Sequence, residues 1–245
     1  MSTQIRIIEL FAGIGGFRKG FENANETIAR NDYKEDRTTK SVSRRLRIQC
    51  AGDCSDTPST RREQQQRFYT CVYANEWDKY ARSIYEKNFN TEIDPRDIRT
   101  IKTSEIPEHD VLTGGFPCQA FSIAGHRLGF EDTRGTLFFE IARILQDKRP
   151  RYFLLENVKG LLSHDSGQTF QTILAILSEL GYDIQWDVLN SKNFSVPQNR
   201  ERVFIIGHLR GERRPEIFPI GTEDSRFDDR VVSTAIDRNY WKGPD

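Results

Sequence analysis

Short β-rich runs alternate with helix-length stretches along most of this chain, and each run ends in glycine or in a cluster of polar residues. Ile5–Leu10 (IRIIEL) closes on Gly13-Ile14-Gly15-Gly16, and helical spacing begins near Phe17 with Phe21 on the same face. Thr70–Ala74 (TCVYA) reads as a second strand, followed by a helix over Asp78–Asn88 with Tyr80, Ile84 and Tyr85 as its apolar contacts. Asp110–Gly114 is a third strand ending in another glycine turn, Leu137–Gln146 an amphipathic helix, and Tyr152–Glu156 a buried-type strand. Thr169–Leu180 is helical again, closed by Gly181 in the C-cap position. Asp183–Leu189 and Arg202–Gly207 follow with no helix-length segment between them, so they are expected to pair antiparallel at one sheet edge. This order predicts an α/β sheet wrapped by helices on both faces. In such sheets ligands bind at the carboxyl ends of the strands.

One stretch breaks the alternation. Asn25–Arg67 is polar and Arg-rich, with Ile28, Val42, Leu46 and Ile48 scattered without a period, and it reads as an insertion. It joins a helix to a strand, which places it at the edge opposite the expected site; a solvated loop is the plainer reading than a nucleic-acid contact. Cys50 and Cys54 are spaced like half a zinc site but lack a second Cys/His pair, so no metal is expected. With 36 basic and 36 acidic residues, the chain is neither a bulk polycation nor an acidic tail protein. Four cysteines are too few for a disulfide scaffold, and neither a signal peptide nor a membrane-length apolar run is visible. A cytoplasmic protein is the expectation.

The chemistry gathers at the strand tips. Phe11-Ala-Gly-Ile-Gly-Gly-Phe17 puts a glycine turn between a strand and a helix, where backbone can approach a ligand and the helix N-terminus offers free N–H groups. Alone, it could equally be a tight turn. The second strand ends in Asn75-Glu76-Trp77: a carboxylate suited to ribose hydroxyls and an aromatic suited to a purine. Together they favour a nucleoside-containing cofactor, and Arg18 in place of the third glycine of G-x-G-x-x-G tilts away from NAD. The third tip, Gly114-Gly115-Phe116-Pro117-Cys118-Gln119, would present a nucleophile on a proline-bearing turn, unless Cys118 is an inert buried thiol. Ala120–Arg134 behind it has the makings of a lid. Glu156-Asn157-Val158 places a carboxyl group after an apolar strand, partly withdrawn from water and able to hold or deliver a proton. Arg200 and Arg202 alternate in an extended segment and so share a face, which suits a carboxylate or phosphate.

FAGIGGFR, NEWDKYA, GGFPCQAFSIAG, RGTLFFEIARI, ENVKGL and QNRERVFIIG, in this order, resemble the blocks of the DNA cytosine 5-methyltransferases of bacterial restriction–modification systems. The resemblance runs from Ile5 to about Gly207 and is interrupted by Asn25–Arg67. It implies a Rossmann-like sheet, mostly parallel with an antiparallel strand at one edge, that uses S-adenosyl-L-methionine. It also implies a catalytic domain over residues 1–209 with the insertion at 25–67.

By match, Phe11, Gly13, Gly15 and Gly16 line the methionine side of the cofactor, Glu76 takes the ribose and Trp77 the adenine. Asp97 and Ile98 match the block that contacts adenine, and Pro117 and Leu137 match further pocket contacts. The resemblance makes Cys118 the nucleophile toward a flipped cytosine in double-stranded DNA, Glu156 its ring-holding carboxylate, and Arg202, with Arg200 nearby, the group fixing that carboxylate or the base. Gln119 and Ser122 match loop positions near DNA, and no metal is implied.

The family continues past the QNRER block into a target-recognition region and closing blocks, whereas this sequence ends about 40 residues after Gly207 with the polar stretch Arg210–Asp245. The expectation is an enzyme that needs a second subunit or a missing C-terminal part to read its target. A non-catalytic or truncated homologue that binds cofactor or DNA is the alternative, and a tRNA cytosine methyltransferase a further one.

Overall fold

The computed structural model describes residues 4–27, 68–117, 137–211, 217 and 240–241. In chain order these form β1 (Ile5–Leu10), α1 (16–27), β2 (Tyr69–Asn75), α2 (Lys79–Phe89), β3 (Val111–Gly115), α3 (Leu137–Lys148), β4 (Tyr152–Val158), α4 (Gln168–Glu179), β5 (Tyr182–Asn190), β6 (Glu201–Leu209) and β7 (Tyr240–Trp241). The strands make one sheet in the order β2-β1-β3-β4-β6-β5-β7. β2, β1, β3 and β4 pair in parallel, while β6 runs antiparallel to both β4 and β5. The expected α/β sheet with antiparallel pairing toward one edge is therefore present. Its detail is that β6 lies between β4 and β5, with the short β7 outside them.

Alternation along the strands builds the core. Ile8 and Leu10 of β1 join a large apolar cluster with Leu112, Ile141, Phe153 and Leu174, while Glu9 points to the other side and meets Tyr85 of α2. Helix α4 buries Phe170, Ile173, Leu174 and Leu177, a 3–4 spacing that keeps one stripe inward. Phe170 stands edge-on to Trp186 of β5 at 5.1 Å, and Phe153 of β4 edge-on to Tyr182 at 5.1 Å. Truncating Phe170 to alanine would cost about 3–5 kcal/mol. The chain leaves α4 as expected: Leu180 N–H donates to the Ile176 carbonyl and Gly181 N–H to that of Ser178, with Gly181 at φ 91°.

Helix α2 corrects an expectation. Of the three residues read as its apolar contacts, only Tyr85 is buried, whereas Tyr80 is 69% and Ile84 45% exposed. The helix flanks an edge strand, and the inward direction is set by Tyr85 and Phe89, four residues apart, which stack at 4.7 Å. Ile84 is turned about 100° from that line.

Helix α1 continues through residue 27 and so includes the first three residues of the stretch read as an insertion; residues 28–67 lie outside the described residues. Asn25 ties the two ends of that stretch together. Its Oδ1 accepts from the N–H groups of Phe68 (3.0 Å) and Tyr69 (2.9 Å), and its Nδ2 donates to the Tyr69 carbonyl (3.0 Å). Both ends lie at the amino edge of the sheet, where Ile5 pairs with Tyr69, as its place between helix and strand required. Cys50 and Cys54 lie outside the described residues.

Candidate active site

The glycine turn after β1 is held by Glu76 at the tip of β2. Phe11, Gly13 and Gly15 all take positive φ (54°, 55° and 89°), which winds the chain tightly into α1. The Gly13 N–H donates to Glu76 Oε2 at 2.8 Å, and the Asp78 N–H donates to Oε1 at 2.9 Å. Glu76 is thereby fixed while buried, with lone pairs still free on both oxygens. Trp77 beside it is 69% exposed, and a side chain at Gly13 or Gly16 would project into open space.

The Asp97-Ile98 segment is drawn to the same tip. Asn75 Nδ2 donates to the carbonyls of Asp94 (3.1 Å) and Arg96 (2.8 Å). The Asp97 carboxylate accepts from the Arg99 N–H at 3.0 Å and is held below the usual carboxylate range, chiefly by bonds from the Arg99 guanidinium. Ile98 is buried, and its carbonyl accepts from Arg143 Nη2 at 3.3 Å. The carboxyl ends of β1 and β2 thus assemble an open glycine cradle, a fixed carboxylate and an exposed indole. That donor set fits an amino acid joined to a nucleoside: helix N–H groups for the carboxylate, Glu76 for the diol and Trp77 for the base.

The second half of the site lies at the neighbouring tips. Glu156 sits opposite Gly115 in the β3–β4 register, and a Cβ at Gly115 would lie 3.2 Å from Glu156 Oε2, so glycine makes room for the carboxylate. Arg202 Nε forms an ion pair with Glu156 Oε1 at 2.8 Å, with the two side chains 22% and 25% exposed. Asn157, buried, donates from Nδ2 to the Phe116 carbonyl at 2.8 Å and so fixes the exit of β3. Phe116 is buried against Phe138, with ring centroids 5.5 Å apart, and Pro117 follows it exposed.

Cys118, Gln119 and Ser122 lie outside the described residues, as does the segment read as a lid. Leu137 opens α3 and packs, partly buried, on the core. Arg200 is exposed just before β6 and does not join the Glu156–Arg202 pair; among the described residues its N–H donates to Asn190 Oδ1 at 3.3 Å and its carbonyl accepts from the Ser191 N–H at 3.0 Å. Three residues given no role from the sequence emerge as supports: Glu9, Asn75 and Asn157. Each is a polar residue buried inside or at the end of a strand, which is the one signal that could have marked them. Among the described residues no three His, Cys, Asp or Glu side chains group to hold a metal, and no helix is long and apolar enough to cross a membrane.

Sequence comparisons place the chain among known proteins. The type II methyltransferase M.NgoBI of Neisseria gonorrhoeae is 44% identical over 216 residues, covering 87% of this chain and 53% of that protein. M.HaeII of Haemophilus aegyptius, also a type II methyltransferase, is 45% identical over 238 residues, covering 97% of this chain and 61% of its own. The chain thus spans about half the length of the curated relatives it matches. A crystal structure of a putative DNA modification methyltransferase from an E. coli prophage shares the fold, with a TM-score of 0.55 at 21% identity over 84% of this chain and 47% of that one. The family described as C-5 cytosine-specific DNA methylase matches residues 5–42 and 60–238. With that match, and relatives above 40% identity over most of its length, the chain belongs to the C-5 cytosine-specific DNA methylase family.

Proposed function

We propose that this chain carries the catalytic part of a DNA cytosine-5 methyltransferase, acting on a cytosine flipped out of double-stranded DNA. The observation that carries the reading is the Arg202–Glu156 pair facing Gly115, three residues before Cys118, on the same sheet edge as the Gly13–Glu76 cradle. S-adenosyl-L-methionine supplies an electrophilic methyl group on a sulfonium; Phe11, Gly13, Gly15, Gly16, Glu76, Trp77, Asp97, Ile98, Pro117 and Leu137 are the residues proposed to hold it.

A cytosine ring carbon is too weak a nucleophile to take that methyl group unaided. The Cys118 thiolate adds to ring carbon 6, and the electron pair displaced toward carbon 5 makes it nucleophilic. Glu156 holds the ring nitrogen and the exocyclic amine, and Arg202 keeps the carboxylate oriented. Once carbon 5 carries the methyl group, loss of its proton returns the electron pair to the ring and expels Cys118. Flipping is required because a duplex buries these atoms. Gln119 and Ser122 are the residues proposed to touch the DNA.

The experiment is methyl transfer from labelled S-adenosyl-L-methionine to duplex DNA. It is run with the chain alone and with a second polypeptide supplying what the longer relatives carry beyond the matched half, and it includes tRNA as a competing substrate. A covalent adduct between Cys118 and a duplex containing 5-fluorocytosine establishes the chemistry. Absence of both transfer and adduct in every mixture favours a homologue that binds without methylating. Transfer to tRNA alone reassigns the substrate.

A further inference from the structure

The glycine turn is shaped from behind by residues that never reach the pocket. Glu9, in β1 and 1% exposed, accepts from the Arg18 N–H through Oε1 at 2.8 Å and from the Tyr85 hydroxyl through Oε2 at 2.6 Å. The first bond fixes the opening turn of α1, immediately after Gly16. Tyr85 is wholly buried, and its ring edge lies 3.0 Å from where a Cβ of Gly15 would stand. The ring of Phe89, one turn further along α2, fills that Cβ position itself. The Arg18 side chain closes the circle, with its guanidinium 4.5 Å from the Phe89 ring centre and Nη1 3.3 Å from the Tyr85 hydroxyl. The same helix α2 is capped by Asp78, whose N–H donates to Glu76 Oε1.

We infer that Glu9 and Tyr85 are positioning residues for the cofactor turn, holding the Gly13–Gly16 backbone and the N-terminus of α1 in the shape that receives the amino-acid end of the ligand. This rests on the reading of that turn as the S-adenosyl-L-methionine site. A buried carboxylate that served packing alone would not need to hydrogen-bond both the helix start and the tyrosine whose ring abuts the turn.

The test uses the full chain and calorimetric titration with S-adenosyl-L-methionine and with its demethylated product. Tyr85→Phe removes a single oxygen and leaves Glu9 Oε2 without its donor; the dissociation constants for both ligands should rise about tenfold. Glu9→Ala should weaken binding at least as much, while Glu9→Gln, which can still face both partners, should return to within about threefold of the parent. Where methyl transfer is measurable, the loss should fall on KM and leave kcat nearly unchanged, a split that a general loss of stability would not give. Parental affinity in a folded Tyr85→Phe variant overturns the inference, and that variant decides the matter if Glu9→Ala does not fold. Failure of the parent chain to bind either ligand instead overturns the reading of the turn as the cofactor site.

Discussion

Arg202 reaches Glu156 along the diagonal of an antiparallel strand pair: Arg202 is in register with Val158, Glu156 with Phe204, and Nε and Oε1 stand 2.8 Å apart. The pairing puts a fixed positive charge beside the carboxylate without taking both its oxygens. Replacing either partner should slow methyl transfer by about a hundredfold or more while leaving cofactor affinity nearly unchanged. Arg202→Lys should not rescue, because an ammonium lacks the planar fork. The double variant Glu156→Gln with Arg202→Ala should be no slower than the worse single one, as expected of residues acting as a unit. Single-turnover rates on duplex DNA check all three.

Asn157 carries a different load. Its amide is the described link between the end of β4 and the Phe116 carbonyl, just before the proposed nucleophile turn. Asn157→Ala should cost about 1–3 kcal/mol, by leaving that carbonyl unpaired in the interior. Among molecules that remain folded, the rate of Cys118 adduct formation should fall more than cofactor affinity does. Urea unfolding paired with trapping on fluorinated DNA separates the two effects.

Asp187 supplies a pH signature. Its Oδ1 accepts from the Val188 N–H at 2.7 Å, Oδ2 has no hydrogen-bond partner among the described residues, and burial raises the carboxyl above its ordinary value of 3.8. Ionisation is therefore harder in the folded chain than in the unfolded one. Relative to Asp187→Asn, the parent should be equally matched below that ordinary value and lose ground as pH rises through the raised one. At neutral pH the variant should be more stable by about 1–2 kcal/mol. Denaturation midpoints at about pH 3 and pH 7 give the difference; a constant gap would contradict the assignment.

Gly15 cannot carry a side chain, for two separate reasons: its φ of 89°, and the Phe89 ring occupying the Cβ position. Gly15→Ala should destabilise by roughly 2–4 kcal/mol, combining left-handed strain with overpacking. Adding Phe89→Ala should recover the packing part only. Thermal unfolding of the two variants measures this, and full recovery would mean that backbone strain is negligible.

The strand tips could be read from the sequence because glycine, proline and acidic residues interrupt β-rich runs in ways that local chemistry explains. Gly13, Glu76 and Glu156 are legible as candidates by that route. Partnerships across long sequence gaps could not be found so. Glu9 and Tyr85 are 76 positions apart and bond across the β1–α2 interface, and nothing local to either announces the other. The same limit explains α2, where Tyr80, Ile84 and Tyr85 look alike in a helical pattern until the edge strand decides which one faces inward. The place of β6 between β4 and β5 is likewise a property of the assembled sheet. Asn157 stood in a recognised block, yet its task depends on the carbonyl of a residue 41 positions earlier.

The Asn25 clasp has a consequence for how this fold can be varied. Because one side chain binds both sides of the gap between α1 and β2, the two anchor points of the sheet are set by residues outside that gap. The position therefore works as a port. A fluorescent protein, an affinity tag or a foreign DNA-reading module spliced in beyond residue 27 and before Phe68 would ride at the rim remote from the chemistry, without a change of register in the strands that carry it.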